Sequence, residues 1–385
     1  MVKLSHIVFG AKACKKLLAV LLVNALLLSY LLSHYQVSQA AGFSALISGN
    51  TLDANYVQVE KNTSLEFMRD HGEHPLFRNE WWYVTANLVD ENGQWYALQW
   101  TQFRFRDAKG NKDGVWSNQQ SYMAHAVLNT KDSQLFNERF ARGGVGNAGV
   151  ELAPLAVYID DWQWQSKPDS MFPATLSLSW TSGESINVHL DSLNTPVLQG
   201  HDGYSIKYPN SGLSSYYYSF PNIDVNASFE DKDGKKISLS GHAWFDHEWS
   251  SQFLADQYHG WDWFSLKLDS GQELMLFQMR REDGKHYWSG TLSQQGLKTH
   301  HINTQQVRSK VSKAMPVQIA TANGVTNADM PLVWQIEIPE HQIDIQVSAR
   351  KQQAWVPARF GYFEGPVDVN GSHQGQGFLE LTGYQ

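Results

Sequence analysis

Six glycine-bearing turn pairs constrain this chain more than any other feature. Asn92-Gly93, Asp113-Gly114, Ser182-Gly183, Asp233-Gly234, Ser270-Gly271 and Asp283-Gly284 punctuate short runs rich in Trp, Tyr, Phe, Val, Ile and Thr. Such pairs supply the positive φ that tight β-hairpins require. After residue 40, no stretch of twelve residues keeps the i, i+3, i+4 apolar stripe of an amphipathic helix. From Phe67 onward the texture is β throughout, and regularly spaced strands joined by hairpin turns imply antiparallel sandwiches or barrels.

An internal repeat divides the 385 residues into two copies of one unit. Trp82-Tyr83-Val84-Thr85-Ala86-Asn87-Leu88-Val89-Asp90 leads through Gly93-Gln94 into Trp95-Tyr96-Ala97-Leu98-Gln99-Trp100. Trp263-Phe264-Ser265-Leu266-Lys267-Leu268-Asp269 leads likewise through Gly271-Gln272 into Glu273-Leu274-Met275-Leu276-Phe277-Gln278. Each second strand ends in basic residues, Arg104 and Arg106 or Arg280 and Arg281. The halves also close alike, with Pro221-Asn222-Ile223-Asp224-Val225-Asn226 in one and Pro366-Val367-Asp368-Val369-Asn370 in the other. The division this suggests is a first β domain over 65–250 and a second over 251–385, after a weakly structured leader at 41–64.

The first forty residues read as an export signal. Lys12, Lys15 and Lys16 precede an apolar run from Leu17 to Leu32, and Ser38 and Ala40 fit a cleavage after Ala40. The alternative is an uncleaved membrane anchor, although the run falls short of the ~20 apolar residues that span a bilayer. The expected location is periplasmic or secreted after cleavage, or membrane-anchored if the segment is kept. Cys14, the single cysteine, precedes the apolar run, so the mature chain has no thiol chemistry. A net charge of −8 argues against a nucleic-acid partner.

The segment from Gly241 to Leu268 holds the densest mixture of aromatic and titratable residues. Asp246 stands within Trp244-Phe245-Asp246, where desolvation against tryptophan would raise its pKa and keep a proton available. Its alternative role is a strand-end carboxylate bonded to backbone or arginine. Glu80, in Arg78-Asn79-Glu80-Trp81-Trp82-Tyr83, is a second carboxylate in aromatic surroundings. It is either an acid–base partner for Asp246 or a structural ion pair with Arg78 or Arg104. His71 and His74 lie among Gly72 and Pro75 without a helical metal motif, and His242 and His247, five apart on a strand, point to opposite faces. No metal is expected. No G-x-S-x-G, G-x-G-x-x-G or Walker lysine loop is present, so no serine hydrolase and no nucleotide cofactor are expected. The rings of Tyr216, Tyr217 and Tyr218 must alternate between faces.

Several segments together resemble the AttH-like proteins, which share a domain with the CrtC-type carotenoid 1,2-hydratases. They are Arg69-Asp70-His71-Gly72-Glu73-His74-Pro75-Leu76-Phe77-Arg78-Asn79-Glu80-Trp81-Trp82-Tyr83, Leu198-Gln199-Gly200, Ser215-Tyr216-Tyr217-Tyr218-Ser219, Ala243-Trp244-Phe245-Asp246-His247-Glu248-Trp249, Gly260-Trp261-Asp262-Trp263-Phe264 and Gly377-Phe378-Leu379-Glu380-Leu381-Thr382-Gly383-Tyr384. The resemblance implies an all-β chain of two tandem lipocalin-like antiparallel β-barrels. In the hydratase branch an aspartate after aromatic-Phe protonates the alkene, a role that Asp246 inherits. That branch's His-x-Trp element has no counterpart in residues 205–240, where Tyr216–Tyr218 stand, so the chain looks closer to the AttH-like branch, often associated with FtsX-type ABC transporters.

Two functions are therefore expected. The first is an exported carrier of a hydrophobic or amphipathic ligand, a lipid or isoprenoid, working with an envelope ABC transporter. The alternative is a cofactor-independent hydratase with Asp246 as general acid, Glu80 positioning water, and Trp244 with one of the three tyrosines facing the cation. In both, Trp82, Tyr217, Trp244, His242, Trp261 and Trp263 are candidate ligand contacts walling an internal hollow. A structural envelope protein that binds nothing small is a third reading.

Overall fold

A computed structural model describes residues 55–107, 118–209, 211–252, 258–295, 297–321 and 324–384. The expected export signal and the Asp113-Gly114 turn lie outside these residues. At the other five turn pairs the glycine has positive φ, between +72° and +109°, as tight hairpins demand. The described chain is all-β, with two three-residue 3-10 turns as its helical elements.

The first sheet runs, in spatial order, Gln134–Arg142, Gln120–Asn129, Trp95–Arg106, Asn79–Asp90, Lys236–Ser250, Ser214–Glu230, Ser185–Asp191, Ala174–Ser179, Trp162–Ser166, Leu155–Ile159 and Ala148–Leu152. Its earliest long strand, Asn79–Asp90, pairs along its whole length with its last, Lys236–Ser250. That pair stands in the middle of the sheet, whose edges are Gln134–Arg142 and Ala148–Leu152, and the whole forms a nearly closed barrel. The second sheet repeats the scheme as a half-barrel: His300–Asn303, Tyr287–Gln294, Gln272–Arg281, Tyr258–Leu268, Gly375–Leu381, Tyr362–Gly371, Ile343–Ala349, Gly324–Ile338 and Arg308–Thr321. Here too the earliest strand, Tyr258–Leu268, lies beside the last, Gly375–Leu381. The matching ends of the two halves, 221–226 and 366–370, lie on Ser214–Glu230 and Tyr362–Gly371, each the neighbour of its sheet's last strand.

Each barrel buries its own apolar core. The first is filled by large rings, with Trp82, Trp100, Trp164, Phe172, Phe220 and Phe245 all buried. The second is mostly aliphatic, built on Leu266, Leu276, Ile336, Ile345 and Val347 around Phe264 and Phe363. Burying one such side chain contributes ~1.5–3 kcal/mol. A third cluster lies where the barrels meet, and strand alternation produces it. On Asn79–Asp90 the residues Trp82, Val84, Ala86 and Leu88 face the first core, while Tyr83 faces the second barrel. On Tyr258–Leu268, Phe264 and Leu266 face inward while Trp263 meets Tyr83, Tyr217, Trp244, Phe277 and Phe378.

Candidate functional site at the joint between the barrels

The strand Lys236–Ser250 serves both sides of its sheet. Phe245, His247 and Trp249 point into the first barrel, and Trp244, Asp246 and Glu248 point to the joint. Glu80 pairs in register with Trp249 and points inward, whereas Asp246 pairs with Tyr83 and points outward. The two carboxylates therefore occupy opposite faces of one sheet, and the acid–base pairing expected for them does not form. Glu80 positions nothing at Asp246.

Glu80 is instead the hub of a closed ion network inside the first barrel. Its Oε2 accepts bonds from Arg104 Nε and the His74 backbone N–H, each at 2.8 Å. Its Oε1 accepts from His74 Nδ1 at 2.6 Å and His247 Nε2 at 2.8 Å. His74 Nε2 faces Asp70 Oδ1 at 3.3 Å, so both of its ring nitrogens meet carboxylates and both carry protons. Burial alone would push Glu80 upward, but the His74 and Arg104 charges, with the bonds from His247 and His74, hold it well below the usual carboxylate range. Tyr218 O–H bridges His247 Nδ1 and His71 Nδ1 at 3.0 and 2.7 Å. Trp82 stacks on His247 and Trp249 on His74.

His74, Glu80 and His247 are the three residues of this network whose ligand atoms converge within 4.8 Å. Sequence spacing hides this, because they come from a loop and two strands. The oxygen-to-nitrogen distances of 2.6 and 2.8 Å are those of shared protons. An ion about 2.0–2.2 Å from each atom would hold them ~3 Å apart or more. Arg104 also places a positive charge on the same carboxylate. The trio as it stands is closed by hydrogen bonds.

Asp246 sits in a different setting. It is 3% exposed. Its Oδ1 accepts from Trp244 Nε1 at 2.7 Å and from the Ser219 hydroxyl, and its Oδ2 accepts from Tyr217 O–H at 2.8 Å. Trp263, from the second barrel, donates Nε1–H to the Tyr217 oxygen at 3.3 Å. Burial pushes the Asp246 carboxyl up to about 7; its three donors oppose the shift and the Glu248 charge adds to it. Glu248 is itself 2.6 Å from Lys207 Nζ, which lies over the Tyr217 and Phe277 rings. The result is a carboxyl poised near neutrality among the side chains of Trp244, Tyr217 and Trp263.

The candidate ligand contacts do not form one wall. Trp82 belongs to the interior of the first barrel, which aromatic side chains fill rather than line. Tyr217, Trp244, Trp261 and Trp263 gather at the joint around Asp246. His242 lies at the edge of that face, 3.2 Å from Asp224 Oδ1. Two surface clefts of about 590 and 260 Å³ are described. One lies between Lys131 and Lys351, the other beside Phe229, and neither is lined by Asp246 or Glu80.

Other groups at the joint carry no local sequence signal. Tyr83 O–H donates to Glu364 Oε2 at 2.8 Å, and Trp261 Nε1–H to Glu380 Oε1 at 2.5 Å. Tyr362 O–H lies 3.0 Å from His125 Nδ1. These residues come together only because one sheet docks on the other.

The AttH-like family profile matches residues 58–384. The chain belongs to the AttH-like family. A solved structure of a candidate AttH protein from Nitrosomonas europaea is similar at 28% identity with a TM-score of 0.75, covering 85% of this chain and 99% of that one. Kievitone hydratase from Nectria haematococca shares the fold, at 13% identity and a TM-score of 0.59, over 85% of this chain and 96% of that one. Among curated proteins nothing matches. Within this AttH-like chain both the inward Glu80 network and the outward Asp246 nest fall inside the matched span.

Proposed function

We infer that this AttH-like protein acts on an apolar or amphipathic ligand at the joint between its barrels, with Asp246 as the proton donor of a cofactor-independent hydration. The observation that carries this is a buried carboxyl held near pH 7, ringed by Trp244, Tyr217 and Trp263. Such an acid is protonated at the pH where it works and is placed for transfer. The fold it shares with a hydratase supports the reading. In the reaction Asp246 gives its proton to a terminal alkene carbon and the adjacent carbon becomes a cation facing the π faces of the joint. Water then adds to the cation and its surplus proton returns to the protein. Because Asp246 is covered, the ligand enters as the joint loosens. The ligand class is an acyclic isoprenoid or similar lipid.

A second reading, an exported carrier serving an envelope ABC transporter, is favoured by one contact set. All three side chains bonded to Asp246 donate to it, which suits a carboxylate held for structure. One experiment separates the two. Purified protein is incubated with a detergent-dispersed acyclic carotenoid and with total lipid extract. The hydratase reading expects a product heavier by one water, with Asp246→Asn reducing turnover by ~10²–10⁴-fold. Retained lipid without product, indifferent to that substitution, establishes the carrier instead.

A further inference from the structure

We propose that Glu364 and Glu380 share one proton and form a second proton-handling centre of the joint, so that the site is composite and neither barrel holds it alone. The two residues are direct cross-strand partners on Tyr362–Gly371 and Gly375–Leu381, on the face turned toward the first barrel. Their carboxyls are bonded to each other. Glu364 Oε1 is buried and meets no hydrogen-bond donor among the described residues, so a proton between the two carboxyls would satisfy it. Glu364 is buried and Glu380 half-buried; two carboxylates so placed resist ionising together, and one shared proton satisfies both. Burial raises both groups: Glu364 stands well above the usual range, with the Glu380 charge adding to the rise, and Glu380 is at about 7.

The pair is wired to Asp246 from two sides. Tyr83, which donates to Glu364, is the cross-strand partner of Asp246. Trp263, the cross-strand partner of Glu380, donates to Tyr217, which donates to Asp246. Hydrogen bonds thus join Trp263, Tyr217 and Asp246 on one side and Tyr83 and Glu364 on the other, and strand register sets Tyr83 beside Asp246 and Trp263 beside Glu380. The remaining titratable groups facing it are Glu248 with Lys207 on one flank and Tyr362 with His125 on the other.

The role of the pair rests on the hydration reading. Asp246 loses its proton to the alkene carbon, and a water oxygen bonds to the cation. The proton released by that water goes to the half-protonated pair and leaves both glutamates neutral. It then passes to the Asp246 carboxylate, so that one water has been added and every group is restored.

Infrared spectra of the full chain at pH 8 test the sharing without any substrate. A protonated-carboxyl band is expected in the wild type, absent in Glu364→Gln, retained in Asp246→Asn, shifted in frequency in Glu380→Gln, where buried Glu364 keeps a proton it no longer shares, and returned to its place in Glu380→Asp. A wild type without that band, or a band that is unchanged in either Gln variant, overturns the proposal. With the carotenoid probe, Glu380→Gln is expected to lower kcat ~100-fold with KM within about twofold; an unchanged kcat overturns the proton-accepting role. A wild type that binds the probe but never hydrates it removes the hydration reading alone, and the infrared band then decides the pair.

Discussion

At the scale of single residues, two carboxylates in similar aromatic sequence settings have opposite fates. Glu80 is compensated by two cations and stays ionised; Asp246 has no cation beside it, and burial raises it to about 7 against the pull of its neutral donors. Replacing Arg104 by Met leaves the Glu80 charge buried against fewer partners, and denaturant unfolding should show a loss of ~3–5 kcal/mol. A loss under ~1 kcal/mol would mean that His74 alone neutralises the network. The burial of Asp246 was open in the sequence, which allowed either a desolvated acid or a strand-end carboxylate; the docking of the second sheet on that face decides for burial. The ion-pair reading of Glu80 with Arg104 was open in the sequence as well. Glu364 and Glu380 were not legible, because their partner Tyr83 lies 281 residues from Glu364 and no spacing rule spans that distance.

At the scale of elements, alternation carried most of the fold. Tyr216 and Tyr218 turn into the first core and Tyr217 to the joint, as neighbours on one strand must. The basic ends of the repeated hairpins also acquire a meaning. Arg104 pairs inward with Glu80, and Arg280 pairs inward with Asp262 in the second barrel. Irregularities were invisible, since a bulge depends on the partner strand. One occurs at the start of Tyr258–Leu268, where the register against Gln272–Arg281 shifts between Tyr258 and Gly260. Gly260 has φ +134°, and a Cβ there would stand 2.5 Å from the Thr382 carbonyl oxygen. Gly260→Val should therefore destabilise by ~2 kcal/mol or more, read as a lower thermal midpoint, because neither the backbone angle nor the space suits a side chain. An unchanged midpoint would show that the bulge can relax.

At the scale of the molecule, the joint is where the two barrels become one object. Apolar rings make the contact, and titratable groups are confined within it. This gives stability a pH dependence whose sign follows from the shifts. Asp246, Glu380 and Glu273 are raised to about 7 and Asp262 to about 6, all above their unfolded values. Their contribution is complete below about pH 4 and is lost as pH rises through 6–7. Glu80 and Asp70 are lowered, so theirs is present above about pH 4 and lost in stronger acid. The buried histidines His71, His125 and His247 are lowered from 6.5 and act in the opposite sense in acid, so the Asp246 contribution is read by difference: calorimetry should show the thermal midpoint of the wild type losing ground to that of Asp246→Asn as pH rises from about 4 to 7. Two curves that run parallel over that range contradict this.

The central claim is that Asp246 holds a proton near neutrality inside the joint. Infrared difference titration of the wild type against Asp246→Asn measures this directly. A carboxylic-acid signal specific to Asp246 is expected at pH 6, vanishing with a midpoint near 7. A residue already ionised at pH 6, with the two proteins giving the same spectrum there, would contradict it.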